Sequence, residues 1–192
     1  MGIREDIRTY VACNEQEAVD KRAMMQALDN DPTCFERSAQ AHMTASAWTV
    51  DARMRRVLAV YHNLYRSWSW IGGHADGERD LAAVALRELR EETGIEHARI
   101  VVPEASPIFS LETLAVNGHE KRGVYVAPHL HFNVTYLIVA DENDAVHIKP
   151  DENSAVRWID LDEMTALSSE PWMRERVYRK LIDKTRAIAR RL

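Results

Sequence analysis

Cysteine is scarce in this chain: Cys13 and Cys34 are the two in 192 residues, and they form no C-x-x-C pair. A disulfide framework is therefore not expected, and both thiols read as small packing residues in a reducing compartment. Glycine and proline are also few, 7 and 6, which excludes collagen-like and low-complexity chains. No Pro/Gly/Ser-rich linker divides the sequence, and no internal repeat is present. No apolar run approaches the roughly 20 residues that cross a bilayer. The first residues, with Arg4, Glu5, Asp6 and Arg8 around Ile3 and Ile7, lack the apolar core of an export signal. A cytoplasmic protein without a membrane partner is expected. Nor is there an excess of basic residues. Lys plus Arg is 25 against 30 for Asp plus Glu, a net charge of −5, which argues against a nucleic-acid polymer as partner and leaves room for a small anion held through metal ions.

What is present is an ordinary globular composition, 46% hydrophobic and 29% charged, long enough for one domain with a small appendage. Residues 1–41 read as a helical extension. Ile7, Tyr10 and Val11 form one short stripe, and Val19, Met24, Met25 and Leu28 form a weaker one before Asp29, Asn30, Asp31 and Pro32 stop it. Residues 42–192 read as the main domain. Within it, 44–50 and 57–61 predict a β-hairpin turning at Asp51, Ala52 and Arg53, and further strands are expected near 108–116, 132–139 and 156–159. The strongest helix covers 80–93, with Ala82, Ala85, Leu86, Leu89 and Thr93 on one side, Asp80 as its cap and Gly94 as its left-handed stop. A last amphipathic helix follows Pro171, its basic face read as solvated surface. Strands mixed with a few helices predict an α/β or α+β sandwich.

The informative segment runs from Gly72 and Gly73, behind a strand-like Trp68-Ser69-Trp70-Ile71 run, to Gly94 and Ile95. Glu88, Glu91 and Glu92 fall within about 100° of arc on the helix, so their carboxylates share a face. Such a face is either a solvated acidic patch, with Arg87 and Glu91 as an i,i+4 ion pair, or a set of hard oxygen ligands for Mg²⁺ or Mn²⁺. A side-chain-free backbone at Gly72 and Gly73 would let a metal or phosphate approach closely.

Residues 73–95 resemble the box of the Nudix hydrolase family, Gly-x5-Glu-x7-Arg-Glu-U-x-Glu-Glu-x-Gly-U with U aliphatic. Gly73, Arg87, Glu88, Leu89, Glu91, Glu92, Gly94 and Ile95 stand at the matching separations. One position departs: the box glutamate is replaced by Arg79, with Glu78 one place early. The resemblance implies an α/β/α sandwich around a mixed β-sheet and hydrolysis of a diphosphate linkage in a small nucleoside-diphosphate-type substrate, with divalent metal. Glu91 and Glu92 would ligate metal, Gly72 would offer its carbonyl, and Glu88 would be a further ligand or the base. Arg87 would orient the glutamates.

Other candidates stand beside the box. His129 and His131 alternate on a strand with Asn133 and Thr135, reading as pocket lining, an acid/base pair or a polar strand edge. Glu152, in a late loop, is a further carboxylate candidate. Trp68 and Trp70 read as core packing or, with Gly73, as substrate contacts. Glu78 and Arg79 compete for the vacated box role. Two other functions of the same fold are weighed: an isopentenyl-diphosphate isomerase, which is expected to need a cysteine near the site, and a non-catalytic nucleotide-sugar sensor, in which box glutamates are often lost. Substrate and oligomeric state, monomer or homodimer, stay open at this level.

Overall fold

A computed structural model describes residues 2–103, 106–121 and 123–191. Two helices come first, α1 (Ile3–Thr9) and α2 (Glu15–Asn30). The expected hairpin follows as β1 (Ala41–Val50) and β2 (Arg56–His62). Next come β3 (Ser67–Ser69), β4 (Ile71–His74) and the central helix α3 (Leu81–Thr93). The remaining strands are β5 (Ala98–Ile100), β6 (Ser110–Val116), the small pair β7 (His119–Lys121) and β8 (Val124–Val126), the long β9 (His129–Ala140), and β10 (Asn153–Asp160). The chain ends in α4 (Leu161–Leu167), a π-helical turn (Met173–Tyr178) and α5 (Arg179–Ala189).

The sheet runs β10-β2-β1-β9-β5, with β3 on β2, β4 on β1 and β6 on β9. Among the described residues its one parallel pairing, β1 with β9, joins His42 to His131 and Ser46 to Thr135. The sheet is therefore mixed, and side chains alternate between two buried faces. Met43, Ala45, Val134 and Tyr136 meet Leu81, Val84, Ala85 and Leu89 of α3 and Ile7 and Met24 of the N-terminal helices on one face. Trp48, Val50, Leu137 and Val139 meet Met164, Val177, Leu181 and Ile182 on the other. The architecture is an α/β/α sandwich.

Helix α3 forms as its sequence dictates. Asp80 accepts a hydrogen bond from Ala83 N at 3.0 Å at its start, and Gly94 ends it at φ +81°, a backbone region that a Cβ disfavours. The N-terminal stripes are only half used: Ile7, Tyr10 and Met24 are buried, whereas Val11 and Val19 face solvent. What α2 buries instead is Glu17. Its carboxylate lies 3.2 Å from Lys180 Nζ, and Lys180 is also 2.9 Å from Glu112. The sequence reads the basic face of α5 as solvated surface, and Lys180 departs from that: it is buried because two carboxylates from other elements neutralise it there.

Candidate active site

Strand β4 lies antiparallel on β1, pairing Gly72 with Ser46 and Gly73 with Ala45. Gly73 is a packing requirement: a Cβ there would come within 2.5 Å of Glu88 Oε1 and 2.7 Å of Oε2, so only glycine lets α3 press its carboxylate against the strand. Gly72 donates its N–H to Glu92 Oε1 at 3.1 Å. Arg87 reaches back to the carbonyl of His74 at 3.3 Å and to Glu88 Oε1 at 3.0 Å.

The late loop delivers a third carboxylate. Asn153 donates to the carbonyl of Glu92 at 3.1 Å, and Asn63 N bonds the carbonyl of Glu152 at 2.9 Å. The first contact pins the 149–153 turn to the C-terminal end of α3 and the second to the end of β2. Carboxylate oxygens of Glu88, Glu92 and Glu152 then lie within 4.8 Å of one another. Glu91 stands on the same side but is exposed, 3.4 Å from Lys149 Nζ, and Lys149 also pairs with Glu152 at 3.3 Å. The four glutamates are near neighbours, with Glu91 on the solvent side.

Burial sets the electrostatics. It pushes the Glu92 carboxyl up to about 8, against the opposing pull of the Gly72 N–H, and the charges of Glu152 and Glu88 raise it further. Burial also raises Glu88, partly offset by Arg87. Desolvated carboxylates packed this closely favour either a proton or a cation, and an all-oxygen donor set suits a hard divalent one.

An open cleft of about 660 Å³ lies along these groups, lined by Glu88, Glu91, Glu152, Arg37, Arg79 and Lys149 among others. Glu78 and Arg79 flank it with different tasks. Glu78 Oε1 accepts the N–H groups of Arg79 at 2.7 Å and Asp80 at 2.8 Å, and these bonds hold its carboxyl below the usual range. The Arg79 guanidinium stacks 4.8 Å from the centroid of Phe35. Arg37 pairs with Asp76 across the same loop, at 2.6 Å for one of two contacts.

The other candidates are placed differently. Trp70 is buried edge-on against Tyr178 at 5.8 Å, and Trp68 lies edge-on to Tyr61 at 5.7 Å with Arg157 over its ring; neither lines the cleft. Cys34 is buried, Cys13 is exposed, and neither lines it either. His129 and His131 sit on an interior strand paired by β1 and β6, not on a sheet edge. They gather with His42 and His74, the His131 and His74 rings being 4.8 Å apart. Sequence reasoning had not singled out Lys149, Asn153, Arg37, His42 or His74; of these only His74, next to Gly73, carried a local signal.

Residues 40–181 match the model of the NUDIX domain. The chain belongs to the NUDIX family. The rat (Rattus norvegicus) bis(5'-nucleosyl)-tetraphosphatase (asymmetrical) is 35% identical over 103 residues, 53% of this chain and 60% of the rat protein. The NUDIX chain thus matches less than two thirds of that relative's length. Among solved structures, a C. elegans Ap4A hydrolase binary complex aligns with a TM-score of 0.56 at 19% identity, covering 78% of this chain and 98% of the other. The NUDIX domain of Shewanella oneidensis NrtR, complexed with ADP ribose, aligns with a TM-score of 0.51 at 21% identity, covering 84% and 96%. At these identities the structural likeness concerns the NUDIX fold alone.

Proposed function

We propose that this NUDIX protein is a cytoplasmic, divalent-metal-dependent pyrophosphohydrolase that cleaves a diphosphate linkage in a small nucleoside-diphosphate-type compound. Dinucleoside polyphosphates are the first class to test, because the rat relative carries that activity in its name. The observation that carries the reading is the convergence of Glu88, Glu92 and Glu152 within 4.8 Å beside a cleft that Arg37, Arg79 and Lys149 also line.

Mg²⁺ or Mn²⁺ fits this donor set, since hard cations take carboxylate oxygens and the buried Glu92 otherwise holds a proton to about pH 8. Once bound, such a cation would neutralise phosphate oxygens and lower the pKa of the attacking water. Glu88, Glu92 and Glu152 are the side chains assigned to hold it. Arg87 braces Glu88, and the Gly72 N–H braces Glu92. Glu91 neutralises Lys149 until an anionic substrate competes for that ammonium. Arg37, Arg79 and Lys149 supply charge-assisted hydrogen bonds to the phosphates, and the acidic chain as a whole disfavours longer polyanions.

The test is a panel of dinucleoside polyphosphates, nucleotide sugars, nucleoside triphosphates, ADP-ribose and CoA derivatives with Mg²⁺ or Mn²⁺, products identified by mass. Cleavage of a dinucleoside tetraphosphate into a triphosphate and a monophosphate is expected. Absence of anhydride cleavage across the panel, or full turnover in EDTA, would overturn the reading.

A further inference from the structure

On the face of β4 opposite Glu88, four imidazoles converge. His42 from β1, His74 from β4 and His129 and His131 from β9 each place a ring nitrogen within 4.8 Å of the others'. The strand register makes this arrangement: His42 pairs with His131, His74 pairs with Thr44 two residues along, and His129 lies two residues from His131, so all four point the same way. Gly73, against which Glu88 packs, alternates to the other face.

We propose that these four histidines form a second metal site, distinct from the glutamate cluster, for a borderline first-row dication such as Zn²⁺. Three observations support it. His42 is 2% exposed, and its Nε2 is buried without a hydrogen-bond partner. A buried lone pair left unmatched is costly unless something accepts it. Second, Nδ1 of His42 lies 2.8 Å from the Ala39 carbonyl, and Nδ1 of His129 lies 2.8 Å from the Ala127 carbonyl. A carbonyl only accepts, so both protons sit on Nδ1 and both Nε2 atoms are left with a lone pair. Orientation of an imidazole by a backbone carbonyl is the usual outer support of a metal-ligating histidine.

Third, one edge of the cluster already has the required length. Nε2 of His129 and Nε2 of His131 are 3.1 Å apart, close to the roughly 3.3 Å edge of a tetrahedron with metal–nitrogen bonds of about 2.0–2.1 Å. The proton that bridges these two nitrogens must yield to the cation. An all-imidazole set selects zinc-like metals over Mg²⁺ or Mn²⁺. Partial exposure of His74, His129 and His131 provides an entry path. Its place in the molecule gives it a consequence: the metal would lock β1, β4 and β9 together one residue from Gly73, at the strand whose His74 carbonyl anchors Arg87.

The test uses the full chain, dialysed against EDTA and titrated with Zn²⁺ in millimolar Mg²⁺ against a chromophoric chelator, with Co²⁺ absorption as a report of tetrahedral nitrogen ligation. One equivalent of Zn²⁺ is expected, retained in the Glu88→Gln/Glu92→Gln variant and weakened about 100-fold or more in His129→Ala/His131→Ala. The single variant His74→Ala, at a half-exposed position, repeats the measurement without emptying the β9 side, and circular dichroism confirms folding. Zn²⁺ binding unchanged in both histidine variants, or lost in the glutamate variant, would overturn the proposal. Octahedral Co²⁺ spectra would do so as well.

Discussion

The backbone N–H of Gly72 and the carboxylate of Glu92 meet at 3.1 Å, binding strand β4 to the last turn of α3. This contact holds in place a side chain that burial makes reluctant to ionise. Glu92→Gln keeps the acceptor and the volume while removing the charge. Turnover with Mg²⁺ is expected to fall by about three orders of magnitude, as for loss of a hard charged ligand. The thermal midpoint in EDTA should hold or rise, because a desolvated carboxyl is no longer buried. Steady-state kinetics and melting curves on the same preparation check both halves, and wild-type turnover would remove Glu92 from the site.

Gly73→Ala tests the close approach of β4 to α3. The new Cβ would fall inside the contact distance of the Glu88 carboxylate, the far end of a side chain that must swing away to make room. Because the side chain can rotate, the stability cost should sit at the low end of the about 1–3 kcal/mol of overpacking, whereas displacing Glu88 should lower kcat about 100-fold. Adding Glu88→Ala to Gly73→Ala should recover the stability but not the activity. A double variant no more stable than the single one would show that the strain lies elsewhere.

How much of this could be read from sequence follows from how local each cause is. Helix α3 was legible because its cap, its 3,4 spacing and its glycine stop all lie inside one segment. The hairpin of β1 and β2 was legible for the same reason. Glu152 was only a candidate, because its position depends on Asn153 and Asn63 contacting groups far away in the chain. His42 has no such local mark, since the parallel pairing of β1 with β9 joins distant segments, and His74, although next to Gly73, reaches the other imidazoles only through the pairing of β4 on β1. Lys180 looked like a solvated helix residue; its partners Glu17 and Glu112 lie on a helix and a strand from distant parts of the sequence.

That buried ion network gives the pH dependence of stability. Burial alone would raise Glu17, but Lys180 and Lys184, with the Cys13 N–H and the Tyr10 hydroxyl, outweigh it and hold the carboxyl down to about 2 from the ordinary 4.5. A depressed folded value means the unfolded chain binds more protons between these limits, so stability is full above about pH 4.5 and is lost as pH falls toward 2. Glu17→Gln should flatten this acid limb in urea-unfolding curves. Lys180→Met should cost about 3–5 kcal/mol at pH 7, since it leaves two buried carboxylates without their shared cation. An acid limb unchanged in Glu17→Gln would assign it to other carboxylates.

The departure from the box at Arg79 can be tested by separating two measurements. Glu78 accepts two backbone N–H groups at the start of α3, where donors lack helical partners and negative charge is favoured. Its role is to brace the loop, so Glu78→Ala should lower the melting temperature slightly with only a few-fold loss of kcat. Arg79 makes a different contribution. Its guanidinium lies over the Phe35 ring at the cleft, held by a face contact that leaves its N–H donors open to an anion. Arg79→Ala should therefore raise KM about tenfold for a polyphosphate substrate while kcat and the melting temperature change little. Arg79→Lys, which keeps the charge but loses the planar fork, should recover only part of the affinity. If Glu78→Ala instead abolished metal-dependent turnover while Arg79→Ala left KM untouched, the carboxylate would be serving the metal and the arginine would be a surface residue.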